Sequence, residues 1–123
     1  MSATHRFIDF LISQVSELRP VLDEHLRNND QLLPHVFMGD LTRFVVDLHA
    51  ESLQKTAEAS SSQILRTILR ALESGMESGD ESVKELIGVS FLENLDPDSL
   101  NYAQLKLLLG EELLKQLAMY ESI

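Results

Sequence analysis

Apolar side chains recur every three or four residues along almost the whole chain, and no segment shows the strict alternation of a half-buried strand. The clearest apolar stripe lies mid-chain and consists of Leu65, Ile68, Leu69, Leu72 and Met76. Apolar stripes with this period are buried when the helices that carry them pack against one another. The sequence therefore predicts an all-α fold, a compact bundle of about six or seven short helices with antiparallel helical hairpins.

Prolines, glycines and short polar runs divide this pattern into separate helices. Pro20 and Pro34 suit the first turn of a helix, so each is predicted to open one. Asn28-Asn29-Asp30 has the composition of a turn, and the small polar residues from Lys55 to Ser62 predict the longest loop. The other predicted helices cover about 4–18, the stripe around Leu69, Asp80 to Leu95, 99–109 and 111–121.

Three glycines add detail to this picture. Gly39 lies inside the third predicted helix, which it weakens by roughly 1 kcal/mol relative to alanine, so we expect a close helix crossing there. Gly75 and Gly79 flank the end of the fourth helix, as is typical of helix stops. A tight Ser-Gly-Asp turn then predicts a hairpin with the fifth helix. The segment from Val83 to Leu95 is apolar on most sides and is expected at the centre of the bundle.

Length and composition place the chain among small intracellular proteins. Its 123 residues predict one helical domain over 1–123, with no room for two ordinary cores. The absence of cysteine excludes disulfides and thiolate metal sites, and it suits a reducing compartment. Asp9 interrupts the apolar run near the start, which makes a poor signal peptide, and no stretch reaches the roughly 20 apolar residues of a membrane span. We therefore expect a soluble, cytoplasmic protein.

The formal net charge of −10 is concentrated in the second half of the chain. Residues 1–70 carry 9 acidic and 7 basic side chains, whereas residues 71–123 carry 11 acidic and 3 basic ones. Such a negative field repels phosphate backbones and anionic lipids, so nucleic-acid and membrane partners are disfavoured. It is compatible with a protein partner that has a basic surface, and equally with a role in solubility alone.

The histidines do not form a metal-binding or catalytic pattern. No carboxylate and no second histidine lies one helical turn from His25, His35 or His49, and His5 has only Asp9 at that spacing. We expect these histidines to be surface or half-buried side chains. No glycine-rich phosphate loop occurs either, so the sequence predicts no metal and no cofactor.

Carboxylates and serines also fail to predict a catalytic centre. Glu73 with Glu77, and Glu81 with Glu85, are pairs on one helix face, whereas hydrolases hold two carboxylates across a pocket. Ser90 lies inside a predicted helix without the second glycine of Gly-x-Ser-x-Gly, which favours close helix packing over nucleophilic attack. The sequence predicts a protein that is not an enzyme.

An acidic stretch remains as the candidate binding surface. It contains eight acids and one base, Lys84. The predicted partner-binding residues are Glu73, Glu77, Asp80, Glu81, Glu85, Glu93, Asp96 and Asp98. Acids gathered at the two ends of the fifth helix would dock on a basic cleft and speed association by electrostatic steering. The alternative is ordinary helix-end chemistry combined with solubility.

Three blocks of sequence resemble a bacterial all-helical domain family, and the resemblance spans about residues 30–118. The blocks are Leu33-Pro34-His35-Val36-Phe37-Met38-Gly39-Asp40-Leu41-Thr42-Arg43, the segment from Ser78 to Leu95, and Leu105-Lys106-Leu107-Leu108-Leu109-Gly110. Small proteins of this type look like the immunity proteins of polymorphic toxin systems. The resemblance supplies no catalytic residues. The polar residues within its blocks fit partner contacts and helix-end contacts equally well: Asp40, Arg43, Glu93 and Asn94.

The resemblance implies an immunity protein that binds a cognate toxin domain and neutralises it by stoichiometric blockade. In this hypothesis the acidic surface covers a cationic active-site cleft, and a small apolar patch anchors the contact. The alternative hypothesis is an adaptor or structural subunit whose partner is not a toxin. The sequence does not distinguish the two.

Overall fold

The computed structural model describes residues 2–54 and 59–122 of the chain. This described part contains seven α-helices and no strand, which confirms the predicted compact all-α fold. The helices are α1 (Ala3–Gln14), α2 (Arg19–Asn29), α3 (Pro34–Ser52), α4 (Ala59–Glu77), α5 (Glu81–Ile87), α6 (Tyr102–Lys106) and α7 (Glu111–Glu121). A 3₁₀ turn (Ser16–Leu18) leads into α2, and a π-helical turn (Gly88–Leu92) continues α5.

The first predicted helix and the predicted loop differ from the structure. The helix expected over about 4–18 ends at Gln14, because Val15 is extended and the chain re-enters α2 through the 3₁₀ turn. The loop predicted from Lys55 to Ser62 is wrong over its last residues, which belong to α4. Ser61 is buried there and donates a hydrogen bond to Glu51 Oε1 at 3.2 Å, so small polar residues serve the α3–α4 contact. Residues 55–58 lie outside the described residues.

The last third of the chain is helical for less of its length than the apolar pattern predicts. The helix expected over about 99–109 keeps the α form only over α6, and on either side it tightens into turns. Tyr102 N–H bonds the carbonyl of Ser99, and Leu108 N–H bonds that of Leu105, each three residues back. The final helix occupies 111–121, as predicted.

The core lies where α3, α4 and α5 with its π-helical turn pack together, and α1 and α7 cover it from outside. Leu86, Ile87 and Phe91 are completely buried, which confirms the central position predicted for this segment. The segment is not one regular helix, however. Glu93 N–H bonds the carbonyl of Gly88, five residues back, so the chain widens into a π turn before it ends.

The close helix approach occurs at Gly75, not at Gly39. A Cβ atom on Gly39 would meet nothing within 4 Å, so the predicted crossing there is wrong. A Cβ atom on Gly75 would lie 2.6 Å from Phe7 Cε1 and 2.8 Å from Ile87 Cδ1. Gly75 therefore lets α1 and α5 pack directly on the α4 backbone. Gly79 has φ +78°, the left-handed conformation that favours glycine, in the turn that joins α4 to α5.

The described helices include none that combines the length and the apolar character of a membrane span.

Candidate functional site

The eight acids predicted to bind a partner separate into distinct groups in the structure. Glu77 ends α4, whereas Asp80 and Glu81 begin α5; we call these three exposed acids the N-terminal cluster. We call Glu93, Asp96 and Asp98 the C-terminal cluster, because they follow the π turn and are also exposed. Glu85 lies exposed within α5, between the two clusters. About 13 residues of helical rise separate Asp80 from Glu93, which corresponds to roughly 20 Å.

This separation decides how the charges can act. The Debye length at physiological ionic strength is about 8 Å, so clusters roughly 20 Å apart are screened from each other. The free protein therefore presents two local acidic surfaces. The eight residues predicted to bind a partner are divided between these surfaces, Glu85 and Glu73.

The N-terminal cluster is largely explained by the start of α5. Asp80 is the N-cap, and its Oδ1 accepts hydrogen bonds from Val83 N–H at 3.0 Å and Ser82 Oγ at 2.5 Å. These two bonds hold the pKa of Asp80 below its ordinary value. Glu81 lies in the first turn, where an acid complements the helix dipole, and pairs with Lys84 at 3.7 Å. Helix-end chemistry accounts for Asp80 and Glu81.

Glu73 belongs to neither cluster, because it caps another helix. Its Oε2 accepts a hydrogen bond from Glu112 N–H at 2.8 Å, and its Oε1 accepts one from Leu113 N–H at 3.0 Å. No side chain within α7 caps its N-terminus. The two amides therefore obtain their acceptors from α4, 39 and 40 residues earlier in the chain. Gly110 makes this possible, since a Cβ atom there would lie 2.5 Å from Glu73 Cδ.

This contact predicts a reversal in the effect of Gly110→Ala. In the wild type the new methyl group displaces the cap, so we expect a loss of about 1 kcal/mol in the free energy of unfolding. In a Glu73→Ala background the obstructing carboxylate is gone, and Gly110 has an ordinary φ of −73°. There Gly110→Ala should be neutral or stabilise by about 0.5 kcal/mol through the unfolded chain. A double-mutant cycle by urea unfolding measures this, and additive effects would contradict the proposed cap.

The C-terminal cluster adjoins an exposed apolar helix face. Leu100 and Leu107 are 99% and 83% exposed, and they lie seven residues apart in the turns on either side of α6. Ala103 and Gln104, also exposed, lie between them. We call these four residues the α6 face. Leu105 and Leu109 on the opposite side are buried, so the short helix already supplies its leucines to the core.

The carboxylates of the C-terminal cluster are only partly engaged. Asp96 Oδ1 accepts a hydrogen bond from Asp98 N–H at 2.9 Å, which shapes the turn that leads to α6. Within the described part of the chain, no hydrogen bond or ion pair engages the carboxylate of Glu93 or Asp98. A fully exposed leucine therefore lies two residues beyond a free carboxylate. Sequence reasoning identified the acids here but missed both leucines.

A family model described as a domain of unknown function, DUF7674, matches residues 8–122, almost the whole chain. The chain belongs to this family. The match extends through α6 and α7, so the C-terminal cluster and the α6 face are parts of the family's domain. No similar protein was found among curated proteins or among solved structures.

His25 is a structural residue and not, as predicted, a surface or half-buried one. It is 1% exposed, and its Nε2 accepts a hydrogen bond from Leu33 N–H at 3.0 Å. Because Nε2 is the acceptor, Nδ1 carries the hydrogen, and it faces Asp40 Oδ2 at 3.4 Å. Arg43 pairs with the other oxygen of Asp40. Through this network, α2 supplies a hydrogen-bond acceptor for the backbone N–H at the start of α3. Both imidazole nitrogens are engaged, so neither is free for catalysis.

Ser90 has a histidine beside it that the sequence did not indicate. His35 Nδ1 lies 2.5 Å from Ser90 Oγ, across the contact between α3 and the π turn. The carbonyl of Ser90 accepts hydrogen bonds from Thr42 Oγ1 and Asn94 Nδ2. Ser90 is buried, and neither it nor His35 lines the five best-formed pockets of the described residues. The pair therefore fastens the π turn to α3. Over residues 2–54 and 59–122, no three histidines or acids are grouped as metal ligands would be.

His49 is the second buried histidine, and the prediction that it is surface-exposed or half-buried is also wrong. It is 3% exposed and lies in the wall of a pocket of about 260 Å³ between α3 and residues 94–105. Burial lowers the pKa of His49 below its ordinary value. On the same pocket wall, Tyr102 donates a hydrogen bond to Glu121 Oε2 at 2.7 Å. Burial, together with this bond, raises the pKa of Tyr102 to about 12.

The lowered pKa of His49 predicts an acid-dependent loss of stability. Between the folded pKa and the ordinary value of about 6.5, the unfolded chain binds a proton that the folded chain does not. The stabilisation is therefore present above pH 6.5 and is lost as the pH falls below it, by up to about 1.4 kcal/mol per unit. Urea unfolding at pH 7.5 and at pH 5.5 measures this loss. Between these two pH values the free energy of unfolding should decrease more for the wild type than for His49→Phe. Parallel decreases would contradict the assignment.

Proposed function

We propose that this protein is a stoichiometric inhibitor of the immunity type, which neutralises a toxin domain by covering a basic surface of that domain. The α6 face is the apolar anchor of the contact, and the C-terminal cluster is its acidic rim. The mechanism is binding alone and requires no catalytic residue. The observation that carries the proposal is the pair of almost fully exposed leucines, of which Leu100 lies two residues from the free carboxylate of Asp98.

The exposed leucines support a protein partner. Scattered exposed apolar residues are ordinary, but Leu100 and Leu107 are almost fully exposed at the two ends of one short helix, so a single partner can bury both. Burying such side chains contributes about 1.5–3 kcal/mol each. An amphipathic helix that offers its apolar side to a groove is a common mode of protein recognition.

The carboxylates support a basic partner. The net charge of −10 disfavours an acidic partner, and the C-terminal cluster places three acids next to the α6 face. Charged rims contribute mainly to association rate and to specificity, whereas an apolar centre contributes most of the affinity. The arrangement of a rim beside an anchor fits this division.

The proposal is tested with two matched charge variants. One removes the C-terminal cluster (Glu93→Gln, Asp96→Asn, Asp98→Asn), and the control removes three exposed acids around α5 (Glu77→Gln, Glu81→Gln, Glu85→Gln). Each variant removes three charges and leaves Asp80 in place as the N-cap. Tagged wild type and both variants capture proteins from an extract of the source cells, and mass spectrometry quantifies what is bound.

We expect an equimolar partner that the C-terminal variant binds about tenfold more weakly, since three rim pairs contribute about 0.5 kcal/mol each. The control should bind it like the wild type. Expression of the partner alone should arrest growth, and co-expression of the wild type should restore it. Equal losses in both variants would exclude the C-terminal cluster as the rim. A partner without toxicity would replace the immunity role with an adaptor role.

A further inference from the structure

His49 and the pocket beside it form a second candidate site, separate from the α6 face. The pocket of about 260 Å³ lies between the second half of α3 and the segment 94–105. The apolar part of the pocket wall consists of Val46, Leu95 and Leu105, and the acidic residues Asp47 and Asp96 also line the pocket. Small-molecule sites usually occupy about 300–1,000 Å³ and combine apolar walls with few polar groups. This pocket is close to the lower limit, which suits a ligand of one or two rings.

Most polar groups in the wall are already engaged. Thr42 Oγ1 bonds two backbone carbonyls, Asn94 Nδ2 bonds the carbonyl of Ser90, and the Tyr102 hydroxyl bonds Glu121. The imidazole of His49 is different. No hydrogen bond or ion pair to either ring nitrogen is found within the described part of the chain.

The unpaired nitrogens of His49 are not fully enclosed. Among described residues that are not exposed, no side-chain nitrogen or oxygen is both fully enclosed and without a hydrogen-bond partner. The unpaired nitrogens therefore contribute to the small surface that His49 retains, and His49 lines the pocket. Leaving a polar group unpaired in an almost dry wall is costly, and a ligand with a complementary group removes that cost.

We propose that this pocket binds a planar, uncharged aromatic group that carries one N–H or O–H donor for His49. Apolar walls and restricted volume select the ring, and the imidazole nitrogen selects the donor. The lining carries charges of both signs, since Asp47 and Asp96 oppose an anion and Arg43 opposes a cation. An uncharged group avoids both repulsions and the loss of hydration that a charged ligand would suffer. This inference does not depend on the proposed function.

The purified protein alone suffices for the test, with indole and its hydrocarbon analogue indene as probes. Titrations are followed by the imidazole resonances of His49 in NMR spectra. We expect saturable indole binding at about millimolar concentration, fivefold to tenfold tighter than that of indene, because only indole donates a hydrogen bond. His49→Phe retains a ring of similar shape without the acceptor, so it should bind the two probes equally, as followed by the tyrosine resonances.

A blocking variant and its control locate the binding. Val46 lines the pocket and is 38% exposed, whereas Val36 is 48% exposed on the same helix and does not line it. Val46→Trp should weaken indole binding at least tenfold, and Val36→Trp should leave it unchanged. N-acetyltryptophanamide distinguishes the source: binding equal to indole assigns the pocket to a tryptophan side chain, and weaker binding assigns it to a free small molecule. Equal affinities of indole and indene in the wild type, or binding that survives Val46→Trp, would overturn the proposal.

Discussion

Replacing Leu100 and Leu107 together with serine is expected to weaken partner binding at least a hundredfold. Both side chains are almost fully exposed in the free protein, so the wild-type complex gains the burial of each whole leucine side chain. Serine cannot supply this burial. A loss of about 1.5–3 kcal/mol for each leucine gives about 3–6 kcal/mol together. Since 1.4 kcal/mol is a factor of ten, a hundredfold change is the lower limit. Surface plasmon resonance with the captured partner provides the dissociation constants.

The control for this variant exchanges two other exposed apolar residues for serine, Val36 on α3 and Met119 on α7. Both variants should unfold at nearly the wild-type urea concentration, because side chains as exposed as these contribute little to the core. If the control weakens binding as much as the test variant, the partner does not recognise the α6 face. Unchanged affinity in the Leu100 and Leu107 variant would remove the proposed anchor altogether.

The second large effect concerns the core. Gly75→Ala should lower the free energy of unfolding by about 2 kcal/mol, although alanine is the better helix former. The added methyl group would lie within 3 Å of the Phe7 ring and of Ile87 Cδ1, so these buried side chains, or the helices that carry them, must shift. Overpacking of this kind costs about 1–3 kcal/mol. Urea unfolding followed by circular dichroism measures the change.

Gly39→Ala is the matched control, because it places the same methyl group inside another helix. Nothing lies within 4 Å of that position, so helix propensity alone decides, and the free energy of unfolding should rise by about 1 kcal/mol. The two glycine substitutions should therefore differ by about 3 kcal/mol with opposite signs. Stabilisation by both would show that the core accommodates the methyl group at Gly75.

Local patterns predicted most of the helices, because the spacing of apolar residues within one segment is enough to identify the buried face of that helix. The stripe around Leu69, the buried centre near Ile87 and the final helix all follow from spacing that lies within one segment. The same rule failed where small polar residues pack: Ser61 is buried and bonds Glu51, a contact invisible in the sequence around it.

Contacts between distant segments account for the remaining differences. Nothing near Glu73 indicates that its carboxylate caps α7, and nothing near Gly75 indicates that Phe7 and Ile87 approach it. The sequence predicts surface or half-buried positions for His25 and His49, because their helical neighbours offer no partner. Their actual environments come from Leu33, Asp40 and the segment that begins at Asn94.

The candidate surface was predictable in part. Net charge and its concentration in the second half of the chain pointed to acids, and the structure divides those acids by their local tasks. Asp80 and Glu73 serve helix ends, whereas Glu93 and Asp98 keep free carboxylates. A signal for the α6 face was present in the Leu105–Leu109 run, because a short helix with leucines on all sides cannot bury every one of them.

Hydrogen exchange of the protein alone and in complex with its captured partner tests the central claim most directly. Backbone amides from Glu93 to Leu108 should exchange more slowly in the complex, since the partner covers the C-terminal cluster and the α6 face. Amides at the start of α5, around Glu81, should exchange at unchanged rates. Protection confined to the start of α5, or to any surface that excludes the α6 face, would contradict the proposed docking surface.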